Sequence, residues 1–471
     1  MEENIECYDV LYEEIDILKV DELIEIFSTK EDLIVLNSER LMDDHGRYSF
    51  VCFDSFACFN AKKEKYFWNN EVAHIDNPFD FIDEQIKKYK IKKNIQLPPL
   101  QGGAVGYFGY EASLYLEKLP VVLDNIDLPD IYIRFYSNII AIDKVLNKSW
   151  IIATGFPEKN DIARRLNAVN AITKIKQTIF KYKKNQYKIS ESILSFNPVI
   201  SNFTCESYMQ AVMKTKQYIS NGDIFEANIS QQFRSKASKN IMIQKLYSNL
   251  MKLNPAPYSA LIKIGNQKYI ISASPERFVR LETGLVETFP IKGTRKRSKD
   301  IKEDKRLSDE LLLSEKDHSE NVMIVDLMRN DLSKVCRPGS VKVEELCALK
   351  SFETVHHLVS KVTGILKTNT SAIDLLKAAF PPGSVTGAPK IRAMEIISEI
   401  ETQERGPYCG CIGYMSFTGD MDTSVTIRTY FINGKEIFFS AGGAIVLDSD
   451  PNDEYYESLI KAKALIEALT I

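Results

Sequence analysis

The feature that most constrains the fold is how often the apolar runs are cut short. "DLIVLNS" (32–38), "GRYSFVCF" (46–53), "GAVGYFGY" (103–110) and "NIIAIDKV" (138–145) are each bounded by Gly, Pro, Asp or Asn. Short runs rich in β-branched and aromatic residues, closed by turn formers, read as strands. The pattern returns in "FEANISQQF" (225–233), "YSALIKIG" (258–265) and "YIISASPERFVRL" (269–281). Helical stretches lie among them, at 158–183, 311–331, 390–401 and 453–469. Another spans 204–223, where Thr204 is a candidate N-cap, Tyr208, Val212, Thr215 and Ile219 keep helical spacing, and Asn221-Gly222 is a stop. Strands and helices mix without the regular βαβ alternation of a dinucleotide-binding domain, which predicts an α+β or mixed α/β architecture.

A length of 471 residues corresponds to roughly three domain equivalents. The polar, Lys-rich stretch "KYKKNQYKISES" (181–192) reads as a solvated linker. A boundary is expected near 190–203, separating an N-terminal region, 1–155, from a second region, 203–466. The formal net charge of −4 argues against a general nucleic-acid binder. No apolar run reaches the roughly 18 residues of a membrane span. The acidic N-terminus has no apolar signal core, so the expected location is cytoplasmic. Eight scattered cysteines without paired CxxC motifs predict reduced thiols and no zinc.

Several stretches carry residues suited to chemistry. "FPIKGTRKR" (289–297) puts Lys292 between an apolar lead-in and Gly293, where a sharp turn is expected. "SPERF" (274–278) ends a strand with Glu276 after a proline. Asp317 and Glu320 fall on one helical face, as do Glu454 and Glu457, with Lys461 four residues beyond. Such pairs are either surface ion pairs or, taken from two helices together, oxygen ligands for Mg2+. "FPPGSVTGAPK" (380–390) departs from the Walker pattern, yet a small-residue loop entering a helix can bind an anion through its N–H groups. "SAGGAIV" (440–446) is a tight turn or a place where backbone approaches a carboxylate. Arg428, in a β-branched run, is a candidate carboxylate fork. Adjacent His356 and His357 must face different ways.

Taken together, SPERF, FPIKGTRKR, KDHSENVMIVDLMRND, FPPGSVTGAPKIRAMEII, YCGCIGYMSFTGDMDTSVTIRT, AGGAIV and SDPNDEYYES resemble the chorismate-utilising enzymes. The resemblance covers about 203–466, and 1–150 is similar to the N-terminal region of the ammonia-using members. It implies an α/β (α+β) sandwich of two packed β-sheets with outer helices. It implies Mg2+ on Glu320 and Glu457, supported by Asp317 and Glu454, and Glu276 as the acid that protonates the departing 4-hydroxyl of chorismate. Substrate would meet Tyr414, Arg428, Lys461 and the backbone of Gly442 and Gly443, with Thr294, Thr386 and His357 lining the site. Anthranilate synthases are similar at PIKGT but carry PIAGT; aminodeoxychorismate synthases carry PIKGT. Lys292 therefore implies the second activity, with the lysine attacking ring carbon C2 before ammonia attacks C4. Its pKa is expected to be lowered by a desolvating cleft near Arg295.

Glu226 stands where water-adding relatives place a lysine base and ammonia-using ones usually a glutamine. No GxCxG elbow occurs in the sequence, so ammonia is expected from a separate glutamine amidotransferase subunit. "VLNSERLMDDHGRYSF" and "NPAPYS" resemble tryptophan-pocket segments, with Ser38, Tyr48, Pro255 and Tyr258 as candidates. The alternatives are anthranilate synthase component I and a non-catalytic, tryptophan-binding regulatory subunit; the set Lys292, Glu276, Glu320 and Glu457 argues against the latter.

Overall fold

The computed structural model describes residues 8–39, 46–184, 194–352 and 355–471. Residues 185–192 of the expected linker, residue 193 after it, and 40–45 of the N-terminal pocket segment lie outside the described residues. The strands form two twelve-stranded antiparallel sheets, with helices around them. The first sheet runs from Leu11–Ile15 at one edge, through Tyr48–Cys52, Ile34–Asn37, Tyr258–Gly265, Lys268–Ser274 and Thr429–Asn433, to Glu436–Ile445 and Glu226–Lys236. The second runs from Ile291–Lys296 through Val355–Ile365, Arg277–Glu282, Met421–Val425 and Cys411–Ser416 to Gly103–Phe108 and the strands beyond it. Strands from 11–153 and from 200–445 thus hydrogen-bond into the same two sheets.

Period-two alternation explains the layering. In the first sheet Ile34, Phe50, Ile262, Ile270, Phe431 and Phe438 point into the core shared with the second sheet. Their neighbours Val35, Val51, Leu261, Ile271, Ile432 and Phe439 point the other way, into a core roofed by helices such as Ile243–Leu253 and Pro451–Ala468. A sheet buried on both faces needs apolar residues at consecutive positions, and these strands have them. A third, smaller core packs Tyr208 and Val212 of helix Cys205–Ser220 against Ile229, and against Ile396 and Ile397 of helix Lys390–Ile400.

The expected helix 204–223 is found at Cys205–Ser220, with Thr204 accepting a hydrogen bond from the Ser207 N–H. Two expectations are corrected. The helical stretch 311–331 is two helices, Ile301–Leu313 and Glu315–Val335. Ser314 leaves helical geometry, and its hydroxyl caps the second helix by accepting from the Asp317 N–H at 3.2 Å. Gly293 makes a bulge inside strand Ile291–Lys296, where a sharp turn was expected. Its φ of 77° and its neighbours require glycine: a Cβ there would lie 2.8 Å from Leu311 Cδ1 and 3.0 Å from the Asp317 side chain.

Candidate active site

Two crossings between the sheets build one side of the site. The expected strand 269–281 is two strands, and at Pro275–Glu276 the chain leaves the first sheet for the second. It returns between Met421–Val425 and Thr429–Asn433, through Arg428 at a φ of 53°. The crossings lie side by side: the Val425 N–H donates to the Glu276 carbonyl at 3.0 Å, and the Ala273 N–H to the Arg428 carbonyl at 3.1 Å. Glu276 is 7% exposed, and burial pushes its carboxyl up to about 7, against the opposing effect of a hydrogen bond from Ser384. A carboxyl so placed is half protonated near neutrality, which suits a general acid.

Lys292 is buried in the edge strand of the second sheet. Its Nζ donates to Glu226 Oε1 at 2.8 Å and lies 3.9 Å from Glu320 Oε2. The expectation of a lowered pKa is corrected. Burial pulls the ammonium down, but the charges of Glu226 and Glu320 outweigh it and the pKa is raised. Arg295 has little part in this, being turned to Glu310 at 2.8 Å and Asp317 at 3.3 Å.

The helical carboxylates converge from opposite sides. Burial raises Glu320 to about 7 and also raises Glu454. Glu457 is lowered, because Lys461 at 2.6 Å outweighs its burial. A Cβ added to Gly443 would meet Glu454 Oε2 at 2.8 Å and Glu457 Oε1 at 3.4 Å, so both carboxylates of this pair face the same backbone. Lys461 Nζ donates to the Gly442 carbonyl at 2.9 Å. The ammonium of Lys316 bridges the two helices, 4.0 Å from Glu320 Oε1 and 3.4 Å from Glu454 Oε1. Among the described residues no three carboxylate, imidazole or thiol groups stand close enough to enclose a metal. The donor set nevertheless fits Mg2+, which takes one or two carboxylates and completes its shell with waters and substrate oxygens. Hard oxygens converge on a spot already bridged by a cation, and Glu454 Oε2 is buried without a hydrogen-bond partner.

His357 and Thr294 share a hydrogen bond of 2.8 Å, and burial pushes the imidazole down to about 4, so it is neutral at working pH. His356 faces Ser351 and Asp304 instead, at 2.7 and 3.2 Å. Thr386 is fully buried, and its hydroxyl donates to the carbonyls of Pro382 and Gly383 within its own loop. Gly387 of that loop pairs with Ala227 of the strand that begins at Glu226. Arg428 donates to the Lys461 carbonyl, which ties the crossing to the last helix.

Tyr414 lies elsewhere. It lines a cavity of about 580 Å³ together with Ser38, Tyr48, Tyr258 and Arg277, and its ring meets Phe50 edge-on at 5.5 Å. The tyrosine beside Arg428 is Tyr408, whose phenol is near enough to act on the guanidinium. Tyr408 lies in a turn that includes Cys409 at a φ of 63°, ahead of strand Cys411–Ser416, which carries Tyr414. Pro255 is exposed; Pro257 forms the cavity wall, and its carbonyl accepts from Ser38 Oγ at 2.8 Å. Lys316 and Ser384 also escaped the sequence reading, although Lys316 stands four residues before Glu320 on one helix.

The family profile described as "chorismate binding enzyme" matches residues 38–467. The chain belongs to the chorismate-binding enzymes. Anthranilate synthase component 1 of Aquifex aeolicus is 38% identical over 449 residues, 93% of this chain and 89% of that protein. Aminodeoxychorismate synthase component 1 of Escherichia coli is 38% identical over 397 residues, 84% of this chain and 83% of that one. Anthranilate synthase component I of Streptococcus pneumoniae has a similar structure, with a TM-score of 0.78, 32% identity and coverage of 91% and 94%. The fold expected for a chorismate-binding enzyme, two antiparallel sheets with helices around them, is the one found. Among the described residues no helix is long and apolar enough to cross a membrane.

Proposed function

We propose that this chorismate-binding enzyme is component I of an aminodeoxychorismate synthase, converting chorismate and ammonia to 4-amino-4-deoxychorismate. The observation that carries the reading is Lys292: buried, held by Glu226 at 2.8 Å, and within the electrostatic reach of Glu276. Lysines are rarely buried unless paired, and Glu226 is the partner that keeps this one inside the cleft. In the proposed route its nitrogen attacks C2 of the ring while Glu276 protonates the departing 4-hydroxyl. Lys292, an ammonium at rest, sheds one proton before it attacks; Glu276's proton and the leaving hydroxide make the water lost, and the proton shed by Lys292 reloads Glu276. Ammonia then attacks C4, and the C2–N electron pair returns to the lysine.

Glu320 and Glu457 would hold Mg2+, with Glu454 and Asp317 beside them. When bound, the ion supplies positive charge for the ring carboxylate as the diene shifts. Arg428, Lys461 and the Gly442–Gly443 backbone would orient the carboxylates. Neutral His357, held by Thr294, presents a hydrogen-bonding ring with no charge of its own. The name "component 1" borne by the relatives supports a partner glutamine amidotransferase as the ammonia source. The 580 Å³ cavity at Ser38, Tyr48 and Tyr258 is of a size and apolar–polar balance suited to a free tryptophan.

The second reading, anthranilate synthase component I, is favoured by relatives of that name at 38% identity. Incubating the chain with chorismate, Mg2+ and ammonium chloride and weighing the product separates the two. Aminodeoxychorismate keeps the enolpyruvyl group; anthranilate has lost it as pyruvate, and its appearance as the sole product would sink the proposal.

A further inference from the structure

Glu226 is fully buried, and its two oxygens are treated unequally. Oε1 accepts from Lys292 Nζ at 2.8 Å and from Asn228 Nδ2 at 3.3 Å, while Oε2 is buried with no hydrogen-bond partner. A buried carboxylate oxygen left without a donor is strongly disfavoured, so such an atom marks a place where a donor is meant to arrive. The strand places it well for that. Glu226 is the first residue of its strand, and Phe225 just before it is 69% exposed. A Cβ at Gly387 would lie 2.2 Å from the Glu226 carbonyl oxygen, so glycine is required where this loop packs on the strand.

We infer that Glu226 is the seat of the incoming nitrogen, which it binds as an ammonium ion through Oε2. The inference rests on the reading that this enzyme aminates chorismate. Ammonia is mostly protonated near neutrality, and a buried carboxylate favours the cation over water by charge as well as by hydrogen bonding. An amide here would offer an acceptor without charge, and a lysine would repel the ion. Lys292 and the ammonium do not compete for Glu226 at the amination step: the lysine nitrogen is by then on the ring, leaving the carboxylate to the arriving cation. The atoms and charges balance. Ammonium gives one proton to Oε2, the resulting ammonia forms the C4–N bond, the C2–N pair returns to Lys292, and Glu226 hands it the proton.

The test varies ammonium chloride at saturating chorismate for wild type, Glu226→Gln and Glu226→Asp, with product identity and circular dichroism recorded for each. Glu226→Gln is expected to raise the KM for ammonium roughly 10- to 100-fold, because a charge-assisted hydrogen bond becomes a neutral one, well beyond any change in the KM for chorismate that the loosened Lys292 causes. Glu226→Asp, which keeps the charge, is expected to lie between wild type and Glu226→Gln. An ammonium KM unchanged in Glu226→Gln, equal values for the two variants, or a chorismate KM rising in parallel overturns the inference. Anthranilate as the wild-type product would remove the aminodeoxychorismate reading and with it the Lys292 adduct, while the ammonium KM of Glu226→Gln would still decide whether Glu226 seats the nitrogen.

Discussion

Replacing Glu276 by glutamine should give an enzyme that is nearly inactive and, at alkaline pH, more stable than wild type. Burial raises the Glu276 carboxyl from 4.5 to about 7. The folded state therefore holds a proton that the unfolded state releases between those two values. Stability is lost as pH rises through that window, and the full loss is present above about 7. A difference of about 2.5 pKa units corresponds to about 3 kcal/mol. An amide cannot ionise, so Glu276→Gln recovers most of this at pH 8 and almost none at pH 4. Unfolding entropy for a chain of 471 residues is about 1 kcal/mol/K, so the melting temperature should rise by about 3 °C at pH 8. Activity moves the other way. As a general acid Glu276 works protonated, so wild-type kcat/KM should fall about tenfold per pH unit above 7. The variant should lose roughly 10²–10⁴-fold in rate and also lose that alkaline limb. Melting curves at pH 4 and 8, with pH–rate profiles of both proteins, make the assay. A variant that keeps an alkaline limb near 7, or shows no gain in stability at pH 8, would refute the assignment of the acid to Glu276.

Lys292→Arg should be almost inert, since a guanidinium stays protonated and cannot attack; a normal rate of aminodeoxychorismate formation would reduce Lys292 to an electrostatic role. Wild type given chorismate without ammonia should gain the mass of chorismate less water on the peptide containing Lys292, read by mass spectrometry. Chelation should abolish turnover, and Glu457→Gln should weaken the response to Mg2+. Lys316→Met should tighten Mg2+ binding several-fold by calorimetry, because the Lys316 ammonium bridges Glu320 and Glu454 where a divalent ion would have to enter; weaker binding in that variant would mean that the lysine helps to hold the site. Ser38→Ala and Tyr414→Phe should weaken tryptophan binding, measured calorimetrically, and leave the KM for chorismate unchanged; a shift in that KM would show that the 580 Å³ cavity and the catalytic cleft are one site.

The local pattern by itself determined the elements and much of the residue set. Turn formers cut the strands, Thr204 and Ser207 capped a helix, and i,i+3 spacing put Asp317 with Glu320 and Glu454 with Glu457, because each of these depends on neighbours within one turn or one pleat. Placement was decided only by the tertiary structure. Glu276 and Arg428 are functional candidates because the chain changes sheets at each of them, and the sheet a strand joins depends on partners more than a hundred residues away. Tyr414 was expected at the substrate, yet strand Cys411–Ser416 carries it into the second cavity, and Tyr408, in the turn before that strand, is the one beside Arg428. The charge state of Lys292 was misjudged for the same reason. Burial alone lowers a lysine, and only the arrival of Glu226 and Glu320 from two distant elements reverses the sign. Electrostatic energies depend on distances through space, and those distances are set by packing the two sheets and their helices together.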